Sequence, residues 1–225
     1  MKTDFITTVD VILLTLSGGE LKVALFRRPK EPFKGAWALP GAGILPEVDT
    51  ILVDAAARVL LERTGIVSPY LEELRTFSGP TRDPRAWSMS IAYYALIREE
   101  ILLGSCSEVK LVPVSRIDRM GLPFDHAAMI ASAVERVRSK STYSSLPVYL
   151  CEEEFTIPEL HAVFEALLET PLNMANFRRK LDDLDILEEV PGAFRRIGRN
   201  RPAQVYRQKK QYRNSLSVRS RGMSV

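Results

Sequence analysis

Residues Leu39–Ile66 read LPGAGILPEVDTILVDAAARVLLERTGI. The stretch opens as a loop bearing glycine and proline, runs into a periodic apolar segment and stops at Gly65. Leu52, Ala55, Ala56, Val59 and Leu60 recur at helical spacing, which predicts an amphipathic helix closed by that glycine. Val59, Glu62 and Arg63 stand at i, i+3 and i+4, so they are expected to share one helix face. Three carboxylates so placed would hold Mg²⁺ and set a water against a pyrophosphate. Here Glu62 is alone, Arg63 puts a positive charge where a cation would sit, and Val59 is apolar. One carboxylate is too few for a metal, so no catalytic residue and no metal ligand is assigned.

Outward from this stretch, 225 residues allow one large or two small domains. The apolar and charged fractions are those of a soluble globular protein. No apolar run reaches the roughly 18 residues of a membrane span, and MKTDFITTVD is not a signal peptide. A cytoplasmic protein with no membrane partner is expected. Two isolated cysteines, Cys106 and Cys151, and two histidines, His126 and His161, suggest neither a disulfide framework nor a zinc site. Charge is uneven. From Val190 onward there are ten basic residues and no acid, so with the chain at +3 the preceding part sums to −7. A basic end on an acidic body is the footprint of a nucleic-acid binder, or of a solubilising tail.

Phe5–Leu16 and Leu21–Arg28 read as a hairpin about Ser17-Gly18-Gly19. Trp37–Leu39, Tyr70–Phe77, Trp87–Ile97 and Val109–Pro113 read as further strands, and Phe124–Ser139 as a helix capped by Asp125. Strands alternating with two helices predict an α/β sandwich over residues 1–142. Residues 143–154 change from polar to acidic and are expected to be a linker. A second domain is expected over 155–208. Thr156 and Glu159 form a capping box before Leu160, Val163, Phe164, Leu167 and Leu168, and Asn173 caps a helix over Met174–Leu184. A strand at Ile186–Val190, an extended basic loop from Pro191 and a strand at Ala203–Arg207 complete the order of a winged helix-turn-helix. Residues 209–225 are polar and aperiodic and are expected to be a disordered basic tail.

In such a domain the second helix lies in the major groove of duplex DNA. Asn173, Asn176, Arg178 and Arg179 have the chemistry for bases, and Lys180 for phosphate. Arg195, Arg196, Arg199, Arg201 and Gln204 belong to a loop able to fold as a wing along the backbone. Thr156, at the start of the first helix, joins this candidate set.

Arg58, Leu60, Glu62, Gly65 and Ile66 match the Nudix box, G-x5-E-x7-R-E-U-x-E-E-x-G-U with U aliphatic, whose other glutamates are replaced by Thr50, Val59 and Arg63. With TRDPRAWSMSIAYYA at Thr81–Ala95, LPFDH at Leu122–His126, FTIPELHAVFEALL at Phe155–Leu168, NFRRK at Asn176–Lys180 and NRPAQVYR at Asn200–Arg207, the chain resembles the Nudix-related transcription regulators of the NrtR family over residues 1–208. The resemblance implies a Nudix-fold α/β/α sandwich joined to a winged helix-turn-helix. It implies a homodimeric repressor of NAD metabolism genes that binds double-stranded DNA and answers to ADP-ribose or a related nucleotide, with no cofactor required. Carried over by likeness, the effector site is Arg27 and Lys34 for phosphate, Phe33 and Trp37 near a ring, Gly41 as a close backbone approach, and Arg82, Asp83, Arg85 and Trp87. Ala42 departs from the usual second glycine, and the loop to Arg58 is two residues longer than in standard Nudix enzymes. Two other functions compete. An active Nudix hydrolase would recruit Glu47 or Asp49 beside Glu62, and a Nudix-related regulator of sugar catabolism would bind a sugar-type effector.

Overall fold

In the computed structural model, which describes residues 5–68, 70–105, 108–196, 201–213 and 216, the strand-forming runs of the first half assemble into one mixed sheet. The elements are β1 (Ile6–Ser17), β2 (Glu20–Arg27), β3 (Trp37–Ala38), β4 (Gly41–Gly43), α1 (Leu52–Thr64), β5 (Glu72–Gly79), β6 (Ser88–Leu96), α2 (Glu99–Ser105), β7 (Val109–Pro113) and α3 (His126–Ser141). There follow β8 (Glu154–Thr156), α4 (Ile157–Leu168), α5 (Met174–Leu184), β9 (Leu187–Arg195) and β10 (Ala203–Gln208). Two units result, divided at Arg136–Val137 except that Leu16–Glu20 group with the second, as does the last turn of α3.

In the first unit the strand order is β3-β2-β1-β6-β5, with β4 added to β1 and β7 to β2. β1 is the spine. It runs parallel to β6, with Val9 beside Ile91, and antiparallel to β4, with Asp10 opposite Gly41. Alternate residues of a strand share a face. Val9, Val11 and Leu13 therefore pack with Ile91, Tyr93 and Ala95 against Ala55, Ala56, Val59 and Leu60 of α1. Val59 is wholly buried in this core, which corrects the expectation that it shares the face of Glu62 and Arg63. Burying a side chain of its size contributes about 1.5–3 kcal/mol, and a carboxylate there would be desolvated.

α1 has no side-chain oxygen at its N-cap, because Ile51 occupies that position. The Asp54 carboxylate accepts the Ile51 N–H at 3.1 Å instead. The helix ends at Gly65 in the left-handed region, φ 70°, its N–H bonded to the Leu61 carbonyl at 2.8 Å, as the sequence pattern predicts.

The second unit builds its core from Phe155, Leu160, Phe164, Phe177, Leu181, Leu184 and Ile186. β8, β10 and β9 form its three-stranded sheet in that order. Thr156 and Glu159 make the reciprocal capping box, and Asn173 Oδ1 accepts the N–H groups of Ala175 and Asn176 at 3.0 and 3.1 Å.

Several expectations are corrected. Residues 143–154, expected as a linker, hold a 3₁₀ turn at Leu146–Leu150, and Val148 joins the core. The strand after α5 continues through Pro191 and Gly192 to Arg195, where a loop was expected. α2 was not anticipated. Asp125 does not cap α3, because its carboxylate is taken by Arg82. Of the tail, Lys209–Arg213 are folded, the Lys209 N–H bonding the Ile186 carbonyl at 2.8 Å. Apart from Leu216, residues 214–225 lie outside the described residues.

Lys180 is the largest correction. Its side chain is wholly buried, its Nζ donates to the Ser141 carbonyl at 2.6 Å, and it lies 4.2 Å over the Phe164 ring. The ammonium therefore caps the carbonyl end of α3, where positive charge is favoured, and is not a phosphate contact. Lys180→Ala is expected to destabilise the fold by about 2–4 kcal/mol, through a cavity and an unsatisfied helix end, read by chemical denaturation.

Candidate functional site

A cleft of about 480 Å³ opens in the first unit. β1 supplies Thr8 and Asp10, the end of β2 and its turn supply Phe26 to Glu31, and the β4 segment supplies Leu39 to Gly43. α1 contributes Glu62 and Arg63, the loop before β6 contributes Arg82, Asp83 and Arg85, and the entry to α3 contributes Phe124 and His126.

Its floor is a polar network around Asp10. Ser90 donates its hydroxyl to Asp10 at 2.6 Å, and His126 Nε2 and Arg82 Nη2 each stand 3.7 Å from the carboxylate. The Leu39 N–H donates to His126 Nδ1 at 3.1 Å, which requires that nitrogen to be unprotonated and leaves the proton on Nε2, toward Asp10. Burial lowers the His126 pKa, and Asp10 opposes part of that shift. The ring is thus a neutral, positioned strut, and His161 is likewise structural, bonded to the Leu172 carbonyl at 2.9 Å.

The wall is rich in guanidinium groups. Arg82 is a buried brace, its fork on Asp125 at 2.9–3.2 Å and its Nη1 on Ser88 at 3.2 Å. Asp83 is buried and grips Arg85 at 2.7 and 3.0 Å, which holds the Asp83 carboxyl below its ordinary pKa and leaves Arg85 half exposed toward the cleft. Arg28 donates to the Pro32 carbonyl at 2.9 Å and lies 4.8 Å from the Phe124 ring. Burial lowers its pKa, and the charges of Arg85 and Arg63 push the same way. Arg63 is exposed on α1 and makes no ion pair among the described residues.

The acids tell the opposite story. Asp49 does not reach into the cleft. It accepts Arg58 on both oxygens at 2.7 and 2.8 Å and the Leu45 N–H at 2.7 Å. The Arg58 hydrogen bonds draw its pKa from 3.8 to about 2. Arg58 also donates to the Gly43 carbonyl at 3.0 Å and stands 3.4 Å from Glu62. Among the described residues no three His, Cys, Asp or Glu side chains are grouped to hold a metal ion.

Of the nine residues expected at the effector site, Arg27, Gly41, Arg82, Asp83 and Arg85 line the cleft, and Phe33, Lys34, Trp37 and Trp87 do not. Phe33 meets Phe124 edge-on at 5.1 Å, and Trp37 lies under Arg27 at 4.3 Å. Trp87 packs against Phe5 at 6.1 Å. Arg82 and Asp83 spend their polar groups inside the protein, so they shape the site more than they present themselves to a ligand. Gly41 is required by its partner across the strands, since a Cβ there would overlap the Asp10 carboxylate. Sequence reading missed Asp10, Arg28, Lys30, Phe124 and His126 as lining residues. A carboxylate inside the apolar run of β1 was the available signal for Asp10.

In the second unit, Asn176, Arg178 and Arg179 are exposed on α5, and Arg179 donates to Asn176 Oδ1 at 2.6 Å. Arg196 and Arg201 are exposed, as is Phe194 in β9, while Arg199 lies outside the described residues. Asn173 is exposed too, with its Oδ1 spent on the α5 N-cap, and three more candidates have partners inside the unit. Thr156 is a wholly buried cap, Arg195 pairs with Glu159 at 3.1 Å, and the Gln204 amide donates to the carbonyls of Val190 and Ala193 at 2.8 and 3.2 Å. Thr156, wholly buried, is corrected as a DNA contact, while Arg195 and Gln204 are held by partners within the unit.

Residues 5–133 match the NUDIX domain family, and residues 147–208 match the NrtR DNA-binding winged helix domain. The chain is 36% identical to the ADPR responsive transcriptional repressor NtrR of Acinetobacter baylyi over 214 residues, covering 92% of this chain and 84% of that one. The chain belongs to the NrtR family. Among solved structures, it is similar to Shewanella oneidensis NrtR complexed with a 27mer DNA, at 37% identity and TM-score 0.87, covering 97% of this chain and 99% of that one. It is also similar to the NUDIX domain of Shewanella oneidensis NrtR complexed with ADP ribose, at 39% identity and TM-score 0.53, covering 60% and 89% respectively. In this NrtR-family chain both Nudix and winged-helix halves are therefore present, as the sequence resemblance implies. No helix among the described residues is long and apolar enough to cross a membrane.

Two outcomes follow from the cleft. The Asp49 pKa is lower when folded than when unfolded, so its bonds add stability above about pH 4 and lose it as pH falls toward 2. The melting temperature of Asp49→Asn should lie below the parent at pH 7, and the gap should close between pH 4 and pH 2. Gly41→Ala should cost about 1–3 kcal/mol in chemical denaturation, because the Asp10 network must move.

Proposed function

We propose that this chain is a ligand-responsive transcriptional repressor. Its Nudix domain senses ADP-ribose or a related NAD-derived nucleotide without hydrolysing it, and its winged helix grips operator DNA of NAD metabolism genes. The observation that carries this reading is a cleft walled by arginines whose box acids are absent or committed, in a chain with a winged-helix half. Arginine forks match the oxygens of a diphosphate, and the Phe124 ring offers an apolar face. The Acinetobacter relative is named an ADPR responsive repressor, and the Shewanella structures hold DNA and ADP ribose, which supports the same assignment here. A cytoplasmic homodimer suits the role, since two winged domains read half-sites about 34 Å apart and a change in their spacing alters affinity. Against the hydrolase alternative, Asp49, one of the two acids it would recruit beside Glu62, is fastened to Arg58.

The test uses duplex DNA selected from genomic fragments by the purified chain. ADP-ribose should change the affinity for that duplex, read by fluorescence anisotropy at fixed salt. An affinity indifferent to ADP-ribose, or steady cleavage of ADP-ribose with Mg²⁺, would overturn the reading. Arg178→Ala or Arg179→Ala should each weaken specific binding by about 1–3 kcal/mol while leaving ADP-ribose binding intact.

A further inference from the structure

The Nudix fold is associated with a divalent metal, and the residues present do not fit one. Among the box positions that face the cleft, Glu62 is the single acid, and it lies 3.4 Å from Arg58. The other lining acids are engaged too. Asp10 accepts Ser90, Asp83 holds Arg85, and Glu31 faces the backbone N–H of Lys34 at 3.4 Å. Mg²⁺ needs near-octahedral oxygen at close range, and a guanidinium one residue from Glu62 repels it.

We propose that Arg63, with Arg28 across the same cleft, takes the place of that metal, so that the diphosphate of a nucleotide sugar is bound directly and without Mg²⁺. This rests on the effector reading given above and deepens it. Arg63 and Arg28 line one cavity with Arg85; among the described residues neither makes an ion pair, and Arg28 donates to a neutral carbonyl and lies against a ring while the charge of Asp10 acts on it from farther off. Like charges gathered in a partly apolar cleft repel one another until an anion enters; burial is the main cause that lowers the Arg28 pKa, Asp10 and Asp83 oppose it, and Arg85 and Arg63 add to it. A guanidinium also offers paired donors to phosphate oxygens, which a metal ion matches only with ligands this cleft does not supply.

The experiment is isothermal titration of the full chain with ADP-ribose, once in excess EDTA and once in excess Mg²⁺. The parent should bind equally in both, within about twofold. Arg63→Gln should weaken binding about tenfold in both buffers, the loss of one charge-assisted phosphate contact. Arg63→Glu should weaken it further in EDTA and recover part of the loss in Mg²⁺. Arg63 is exposed on α1, so circular dichroism melts of both variants should match the parent. Parent binding that needs Mg²⁺, or Arg63→Gln binding as tightly as the parent, overturns the proposal while the effector reading stands. Parent binding of ADP-ribose in neither buffer removes both.

Discussion

Arg58 fastens the loop that gives the cleft its shape. From one turn of α1 its guanidinium reaches both oxygens of Asp49 and the carbonyl of Gly43, so the lengthened segment between β4 and α1 is closed at two points. That closure sits beside β4, whose Gly41 lies opposite Asp10 with no room for a side chain. Backbone and carboxylate meet at the cleft floor, and the surrounding arginines take their places around them. The same fork draws Glu62 toward itself, so the interaction that builds the loop also occupies the surviving acid of the box.

Charge has been redistributed around a retained scaffold. Asp83 and Asp125 each hold an arginine in place, one turned toward the cleft and one buried as a brace. Val59 has become part of the core and Arg63 a surface cation at the cleft edge. An apolar side chain at position 59 suits the core beneath α1, and a cation at position 63 suits its exposed face.

The second unit shows the same division between anchoring and presentation. Lys180 and Phe177 face inward from α5, while Asn176, Arg178 and Arg179 face out. Arg195 and Gln204 stiffen the wing from within through Glu159 and the backbone of β9. A cation near a nucleic-acid interface is therefore not a contact by residue type alone. Its neighbours determine whether its donors are free to leave the protein.

The linear pattern was enough for α1, α4 and α5, for the hairpin of β1 and β2, and for the family, because helix periodicity, caps and the LPG…TGI frame are local. It also exposed the missing box acids, since their absence is a matter of identity at a spacing. Only the tertiary structure decided which charges remain available. Asp49 and Asp83 turn inward to arginines, Lys180 caps a helix end 39 positions away, and Trp37 and Trp87 stand off the cleft. Residue type sets what a side chain can bind, but burial and long-range partners, which no spacing along the chain encodes, decide what it is left free to bind.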